Sequence, residues 1–532
     1  MNIPILLQRI TYSRASRSGW LVLLMISLTL ATNAMARNLL GPVGNIAIKN
    51  PNLIAPAADA FGVATTSGDF DGDGVADLVI ADREHPKRVQ VYRGKVAAIG
   101  APFSQQFYPV ETVAIPTIVA AALGPPIALA VGDFDNGLID DELVVGVPGD
   151  SLNSEGAGAV FVLNRANNGT WSTITTIREG GLYLGSQDAG DHFGSSLTVG
   201  QFNQNARDDL AIGIPDEDIL STVDAGVVMI VYGGIAGLDP GGSEVFYRGA
   251  NGLTGAYQAD EKFGYALASG DFDDDDVSDL AIGIPGATCA GHPAAGSVLV
   301  LRGRNEPGGL SASGAAYWNQ ATLGIADSCE AGDRYGSSVA AGRFHRLPLG
   351  GPPMAYDALV VGAPLESLDG VAGAGAVHVI YGSSTGLNAV GNQFLREDSF
   401  PGGTLQSSLF GIRVSAVRFA DKPSAPGDLI IGLPLQAWKG ISGAGSLWIV
   451  PGGNSALDIS SSTHLGLTPS YQAAPAMPGD TFAAQVSVDD FNGDGYRDLV
   501  VGIPGHQIGA DDGAGAVQII YQGQFIFRDG FD

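Results

Sequence analysis

The chain is written in short apolar runs separated by glycine-rich turns. Asp279-Leu-Ala-Ile-Gly-Ile-Pro285 is apolar almost throughout, which predicts a strand buried on both faces. A strand running into an acidic loop precedes it, in Phe263-Gly264-Tyr-Ala-Leu-Ala-Ser-Gly-Asp271-Phe272. Another follows after a variable loop, in Ala295-Gly-Ser-Val-Leu-Val-Leu-Arg-Gly303. Stretches such as Trp171–Arg178 and Glu244–Arg248 supply a weaker fourth strand before the next such unit. No amphipathic helical stretch of useful length appears.

This unit recurs seven times. Its second aromatic returns at Phe70, Phe134, Phe202, Phe272, Phe344, Phe419 and Phe491, at spacings of 64 to 75 residues. An aromatic followed by glycine lies nine positions earlier at Phe61, Phe193, Phe263, Tyr335 and Phe410. Phe482 is followed by Ala483 instead, and the second copy has Pro125-Pro126 there. A Gly-x-Pro ending closes the buried strand at Pro148, Pro215, Pro285, Pro364, Pro434 and Pro504, whereas the first copy reads Val79-Ile-Ala-Asp82. Four strands per unit, repeated seven times, predict an all-β fold: a seven-bladed β-propeller of four-stranded antiparallel blades. The repeats centre near 61–94, 125–163, 193–233, 263–303, 335–382, 410–452 and 482–523. Asn45–Lys49 is placed to supply the outer strand of the last blade and close the ring. An open solenoid, the alternative, would need capping repeats.

Composition agrees with turns and strands. There are 77 glycines with no triplet period, which excludes collagen, and 45% hydrophobic residues, too many for a disordered chain. The net charge of −28 opposes binding to phosphate backbones, so nucleic acid is excluded as a partner and cations are favoured. The first 36 residues contribute Arg9, Arg14 and Arg17 and no acid. An apolar run from Trp20 to Leu30 and Ala34-Met35-Ala36 follow, the layout of a cleaved signal peptide. That run falls short of the roughly 20 residues needed to span a membrane. The expected organisation is a signal peptide at 1–36, a propeller at 37–523 and a short tail at 524–532, with no membrane span after cleavage. The expected location is secreted, at the cell surface or periplasmic.

Between the first two strands, three repeats place oxygen ligands at loop positions 1, 3, 5 and 9. They are Asp69, Asp71, Asp73 and Asp77; Asp271, Asp273, Asp275 and Asp279; and Asp490, Asn492, Asp494 and Asp498. Position 7 (Val75, Val277, Tyr496) would add a backbone carbonyl. Calcium takes six to eight oxygens, and alternate residues in a tight loop can aim at one centre. Without a cation, two carboxylates about 4 Å apart repel by roughly 4 kcal/mol at an effective dielectric of 20. An EF-hand is excluded, because position 12 is Ile80, Ile282 or Val501 rather than glutamate. The second repeat keeps Asp133, Asp135 and Asp141 with one extra loop residue and should bind more weakly. The third (Gln201, Asn203, Asn205, Asp209) has lost most of its charge. The fifth and sixth carry Arg343 and Arg418 at position 1 and should bind no ion. The expected cofactor is therefore Ca2+ at three sites, or four or five if repeats two and three contribute.

These motifs resemble the FG-GAP repeat family, which builds the N-terminal β-propeller of integrin α subunits. The resemblance covers residues from about 45 to 523 and implies calcium in the hairpin loops named above, on the lower face. It also implies ligand contacts on the upper face. There Arg83, His85, Lys87 and Arg88 form a basic cluster in blade one, and Trp438 and Lys439 stand in blade six. The same topology brings Cys289 and Cys329 to that face, where they are expected to form a disulfide joining adjacent blades. The chain is expected to lack the leg domains, membrane span and cytoplasmic tail of an integrin α subunit. Its ending, Phe525-Ile-Phe-Arg-Asp-Gly-Phe-Asp532, resembles short C-terminal endings of some exported bacterial proteins. The functional expectation is a calcium-stabilised binding or adhesion module for an extracellular protein or glycan. The alternatives are an extracellular enzyme acting on polysaccharide and a passive scaffold. Gly382-Ser-Ser384-Thr-Gly386 matches a nucleophile-elbow spacing but follows a third strand, so it reads as a hairpin turn. No His-Glu-x-x-His occurs.

Overall fold

A computed structural model describes residues 46–49, 60–82, 88–96, 110–115, 127–135, 141–152, 154–179, 187–304, 309–345, 356–419, 425–467, 476–508 and 513–522. The expected leader at 1–36, the tail at 524–532, and Arg83, His85 and Lys87 lie outside the described residues.

The strands follow from the apolar runs. Glu142–Val147, Asp209–Ile214, Asp279–Ile284, Ala358–Ala363 and Asp498–Ile503 are second strands of their blades and are buried at every position. The fourth strands differ. Trp171–Ile177 alternates half-buried and exposed positions, as an outer edge should. The strands form seven four-stranded sheets with purely antiparallel neighbours. Six are consecutive in the chain. The seventh joins Val486–Asp489, Asp498–Ile503 and Ala516–Ile520 to Ile46–Lys49, with Ile48 opposite Val517. The N-terminal strand thus closes the ring, and an open solenoid is ruled out. The apolar core lies between blades. One cluster joins Val144 and Val160 of blade two to Leu210 and Ile212 of blade three, and another joins Leu78 and Ile80 of blade one to Val500 and Ile519 of blade seven.

The aromatic–glycine motif is the stitch between neighbours. The amide N–H of Phe263 donates to Ala225 O (3.0 Å), just before the third strand of the preceding blade. Phe61, Phe193, Tyr335, Phe410 and Phe482 repeat this on Ala514, Ala157, Ala295, Ala374 and Ala444. Gly264 that follows has φ +88°, and a Cβ there would lie 2.8 Å from Val227 O and from Val228 Cγ2. The Gly-x-Pro ending packs against the same point: a Cβ on Gly213 would lie 2.2 Å from Gly264 O. Its proline then sits second in a tight turn, closed by hydrogen bonds such as Glu217 N–H to Ile214 O (3.3 Å). Gly382–Gly386 is a hairpin turn between Ala376–Tyr381 and Asn388–Leu395, with Gly386 N–H donating to Ser383 O (2.8 Å).

Candidate metal centre

The hairpin loop between the first two strands is folded by its own carboxylates. In blade one, Asp69 accepts from the N–H groups of Asp73 (3.1 Å) and Gly74 (2.8 Å), and Asp73 accepts from Val75 (2.9 Å). Blade four repeats this: Asp271 accepts from Asp274, Asp275 and Asp276, and Asp275 from Val277. In blade seven Asp490 accepts from Gly493, Asp494 and Gly495, and Asp494 from Tyr496. Positions 4 and 6 are left-handed in every case. They are glycine in blades one and seven but Asp274 (φ +61°) and Asp276 (φ +64°) in blade four. Blade three holds Gln204 and Ala206 in the same conformation without the acids, so the loop shape does not depend on charge.

Asp69, Asp71 and Asp73 bring one oxygen each to within 4.8 Å of one another, and so do Asp271, Asp273 and Asp275. Asp71 and Asp273 are held the same way. One oxygen of each is gripped by an arginine at the end of the third strand, Arg93 (2.6 Å) or Arg302 (3.0 Å). The other oxygen, Oδ1 in both, is buried with no hydrogen-bond partner. A buried, unpaired carboxylate oxygen beside two further carboxylates is a donor set for a hard cation. In blade seven Asn492 replaces the aspartate and Tyr521 takes the arginine's place. Burial, reinforced by neighbouring acids, raises Asp73 and Asp273 above the usual carboxylate range; it also raises Asp271 and Asp494. The side chains of Val75 and Val277 are buried beneath their loops, while that of Tyr496 is exposed.

Position 9 has a different duty. Asp77 accepts from the N–H groups of Phe70 (3.2 Å) and Gly94 (2.9 Å), and Asp279 from Phe272 (3.3 Å) and Gly303 (3.0 Å). Asp498 takes Gln522 N–H (2.9 Å) and the Asn492 side-chain amide (3.3 Å). Asp209 makes the same clamp in blade three, which lacks the acid cluster. Burial pushes Asp77 up to about 8 and Asp279 to about 7, and raises Asp498 well above its usual value.

Blade two departs from the sequence expectation. The structure gathers Asp133 and Asp135 with Glu142, not with Asp141. The extra loop residue shifts the register, so Glu142 accepts Phe134 N–H (3.0 Å) as the position 9 acids do. Asp141 instead accepts Asp69 N–H (2.9 Å) and ties blade two to blade one. Asp208 and Asp357 play the same linking part on Asp133 (3.1 Å) and Asp271 (3.1 Å). Glu142, Arg93 and Arg302 are the residues that sequence reasoning missed. The signal for the arginines was their presence only behind those loops with aspartate at position 3. Arg343 and Arg418, together with Arg497, line a cavity of about 680 Å³ along the ring axis rather than a cation cluster.

The remaining candidates fall as follows. Cys289 and Cys329 are bonded, with Cα atoms 5.9 Å apart, joining the loop after blade four's second strand to the segment entering blade five. Arg88 opens the third strand of blade one, opposite Ala114. Trp438 is half-buried: its ring lies edge-on to His464 (4.8 Å) and covers Gly466, leaving Lys439 exposed above it (5.6 Å). The physical reason is that Gly466 leaves room for an indole against the outer strand.

Comparisons with known proteins converge on the same motifs. A family model described as FG-GAP repeat matches residues 61–96, 263–301 and 482–520, the three repeats with complete loops. Integrin alpha-5 of Xenopus laevis is 25% identical over 248 residues, 45% of this chain and 20% of that protein. Phosphatidylinositol-glycan-specific phospholipase D of Homo sapiens is 32% identical over 120 residues, 23% of this chain and 14% of the relative. The matches thus span a fifth or less of these relatives' own length. A crystal structure of BBS1N in complex with ARL6DN, soaked with mercury, aligns over 90% of this chain and 96% of its own at 12% identity and a TM-score of 0.43. With the aromatic stitch at six of the seven blade boundaries and the family matches falling on the three fullest copies, the chain contains FG-GAP repeats and its propeller resembles that of integrin alpha subunits.

Proposed function

We propose that the chain is an exported calcium-binding propeller that captures a protein or glycan ligand outside the cell. The observation that carries this reading is the pair of buried, unpartnered oxygens, Asp71 Oδ1 and Asp273 Oδ1, each beside two further carboxylates. Calcium would be held by Asp69, Asp71, Asp73 and the Val75 carbonyl; by Asp271, Asp273, Asp275 and the Val277 carbonyl; and by Asp490, Asn492, Asp494 and the Tyr496 carbonyl. Asp77, Asp279 and Asp498 would complete each shell while keeping their backbone clamps. Asp133, Asp135 and Glu142 form a fourth, less regular set. The ions would stiffen one end of the blades that bind them and hold the ring's opposite loops in a fixed array for binding. Residues 1–36 would direct export and be removed.

The test is metal analysis of the purified chain together with protein and glycan arrays read in calcium and in chelator. Stoichiometric calcium and calcium-dependent capture of a defined ligand support the reading. A calcium-free protein, or hydrolysis of an arrayed polymer, counts against it.

A further inference from the structure

At the end of each blade opposite the hairpin loops, three recurring positions meet at the boundary with the preceding blade. The first lies two residues after the outer strand, the second two residues before the aromatic–glycine pair, and the third closes the proline turn. The third keeps one backbone role throughout: Glu217, Ala287, Glu366, Gln436 and His506 accept from Gly226, Gly296, Gly375, Gly445 and Gly515. The positions are therefore structurally equivalent, and their side chains can be compared directly.

At the other junctions described, a buried carboxylate has a side-chain partner at one of these positions. Between blades three and four the first position is Arg248, whose guanidinium reaches Glu261 at 3.0 Å, and the third is Ala287. Between five and six, Glu397 meets Ser408 and Gln436, and Gln436 donates to it. Between six and seven, His506 pairs with Asp480 at 3.0 Å. Between four and five, Gln320 donates to Glu366, which also groups with Asp333 and the exposed Glu330.

The junction between blades two and three breaks this pattern. Its positions are Glu179, Asp191 and Glu217, all buried, with one oxygen of each within 4.8 Å of the others. Glu179 is only 2% exposed, and neither of its carboxylate oxygens has a hydrogen-bond partner; Glu217 Oε2 has none either. Asp191 accepts a single N–H, from Asp188 (2.8 Å). The nearby cations are engaged elsewhere: Arg178 on Asp150, and Lys262 on Asp216 and Asp224. Glu179 thus points two unpaired oxygens into the place where the next junction has the charge of Arg248.

We propose that Glu179, Asp191 and Glu217 hold a hard divalent cation at the junction of blades two and three, a site separate from the hairpin loops. Three carboxylates from two blades supply oxygen ligands of the type that calcium or manganese takes. The ion would do there what Arg248 does one blade further on, and would cross-link the two blades. This inference does not rest on calcium in the hairpin loops.

The test uses the full mature chain carrying Asp73→Ala, Asp135→Ala, Asp275→Ala and Asp494→Ala, so that ions in the hairpin loops of blades one, two, four and seven do not contribute. After dialysis against calcium, or separately manganese, bound metal is counted by mass spectrometry, and manganese is also followed by electron paramagnetic resonance. The expected result is one retained ion per chain, lost when Glu179→Gln is added. Glutamine at this position is what the blade four–five junction carries in Gln320, so this variant should fold. A second variant, Glu179→Arg with Glu217→Ala, rebuilds the blade three–four junction; it should also lose the ion and melt at the same temperature with or without chelator. No retained ion in the loop-deficient chain, or a content unchanged by Glu179→Gln, overturns the proposal. The latter result would mean that the three carboxyls share protons.

Discussion

Blades four and six have the same scaffold and opposite loop chemistry. Both use the aromatic–glycine stitch, from Phe263 to Ala225 (3.0 Å) and from Phe410 to Ala374 (3.1 Å). Both place an aspartate at the start of the second strand to accept the N–H that follows the third, Asp279 from Gly303 (3.0 Å) and Asp428 from Gly452 (3.2 Å). At loop position 1, however, blade four has Asp271 and blade six has Arg418. The acid at the strand start therefore belongs to the fold, whereas the acids at positions 1, 3 and 5 are a separate layer that a blade can discard.

Calcium removal should separate these layers most strongly. Each occupied site at about 100-fold above its Kd adds roughly 2.7 kcal/mol. Chelation should therefore lower the melting temperature of the wild-type chain by the sum over its loops, and the Asp73→Ala, Asp275→Ala, Asp494→Ala variant should lose that share of the response. An unchanged melt in chelator would dissolve the distinction between blades four and six. The next effect concerns the fold layer alone. Asp209 accepts two buried N–H groups, from Phe202 (2.8 Å) and Gly233 (2.9 Å), in a blade without the acid cluster. Asp209→Ala should cost about 2–4 kcal/mol in urea denaturation, equally with and without calcium. A cost that appears only in calcium would move Asp209 into the metal layer.

Blade five sharpens the contrast through its core. His378 stands where blade four has Leu299, fully buried between the rings of Tyr335 (5.2 Å) and Phe394 (5.0 Å), and neither ring nitrogen has a partner. Burial holds it down to about 3, against about 6.5 in an unfolded chain. The unfolded state thus takes up the proton first. The associated stability is present above pH 6.5 and is lost as pH falls towards 3, a loss of ~3 kcal/mol by about pH 4. His378→Leu should remove this component, read as the difference between the two chains' denaturation midpoints across that window.

Much of this arrangement was legible in the chain. The apolar second strands announced two-sided burial, and the phased aromatics counted the blades. The loop acids were legible because alternate residues of a tight turn share one side. What stayed hidden depended on register and distance. One extra residue in blade two moved Glu142 into the place expected for Asp141, and no local pattern distinguishes two adjacent acids. Arg93 and Arg302 act on Asp71 and Asp273 from the end of another strand. The seat of Trp438 against the outer strand was hidden because Gly466, which makes room for it, is 28 positions away. The carboxylates of the opposite face come from three separate segments and become a group only when the blades are stacked.

The smallest effect tests the stitch itself. Ala483 stands where Gly62, Gly194, Gly264, Gly336 and Gly411 occur, and it keeps the left-handed conformation at φ +69°. That conformation costs an L-residue roughly 1–2 kcal/mol, because Cβ crowds the following carbonyl. Glycine removes the strain but loses more conformational freedom on folding, about 0.5–1 kcal/mol. Ala483→Gly should therefore stabilise the chain by about 0.5–1 kcal/mol, seen as a small rise in melting temperature in calcium and in chelator alike. The reverse change, Gly264→Ala, should cost more than this, since its Cβ would also lie 2.8 Å from Val227 O and Val228 Cγ2. If Ala483→Gly instead destabilised the chain, the blade six–seven boundary would not use the same stitch as the others, and blade seven would have to be held by its closing strand and its loop.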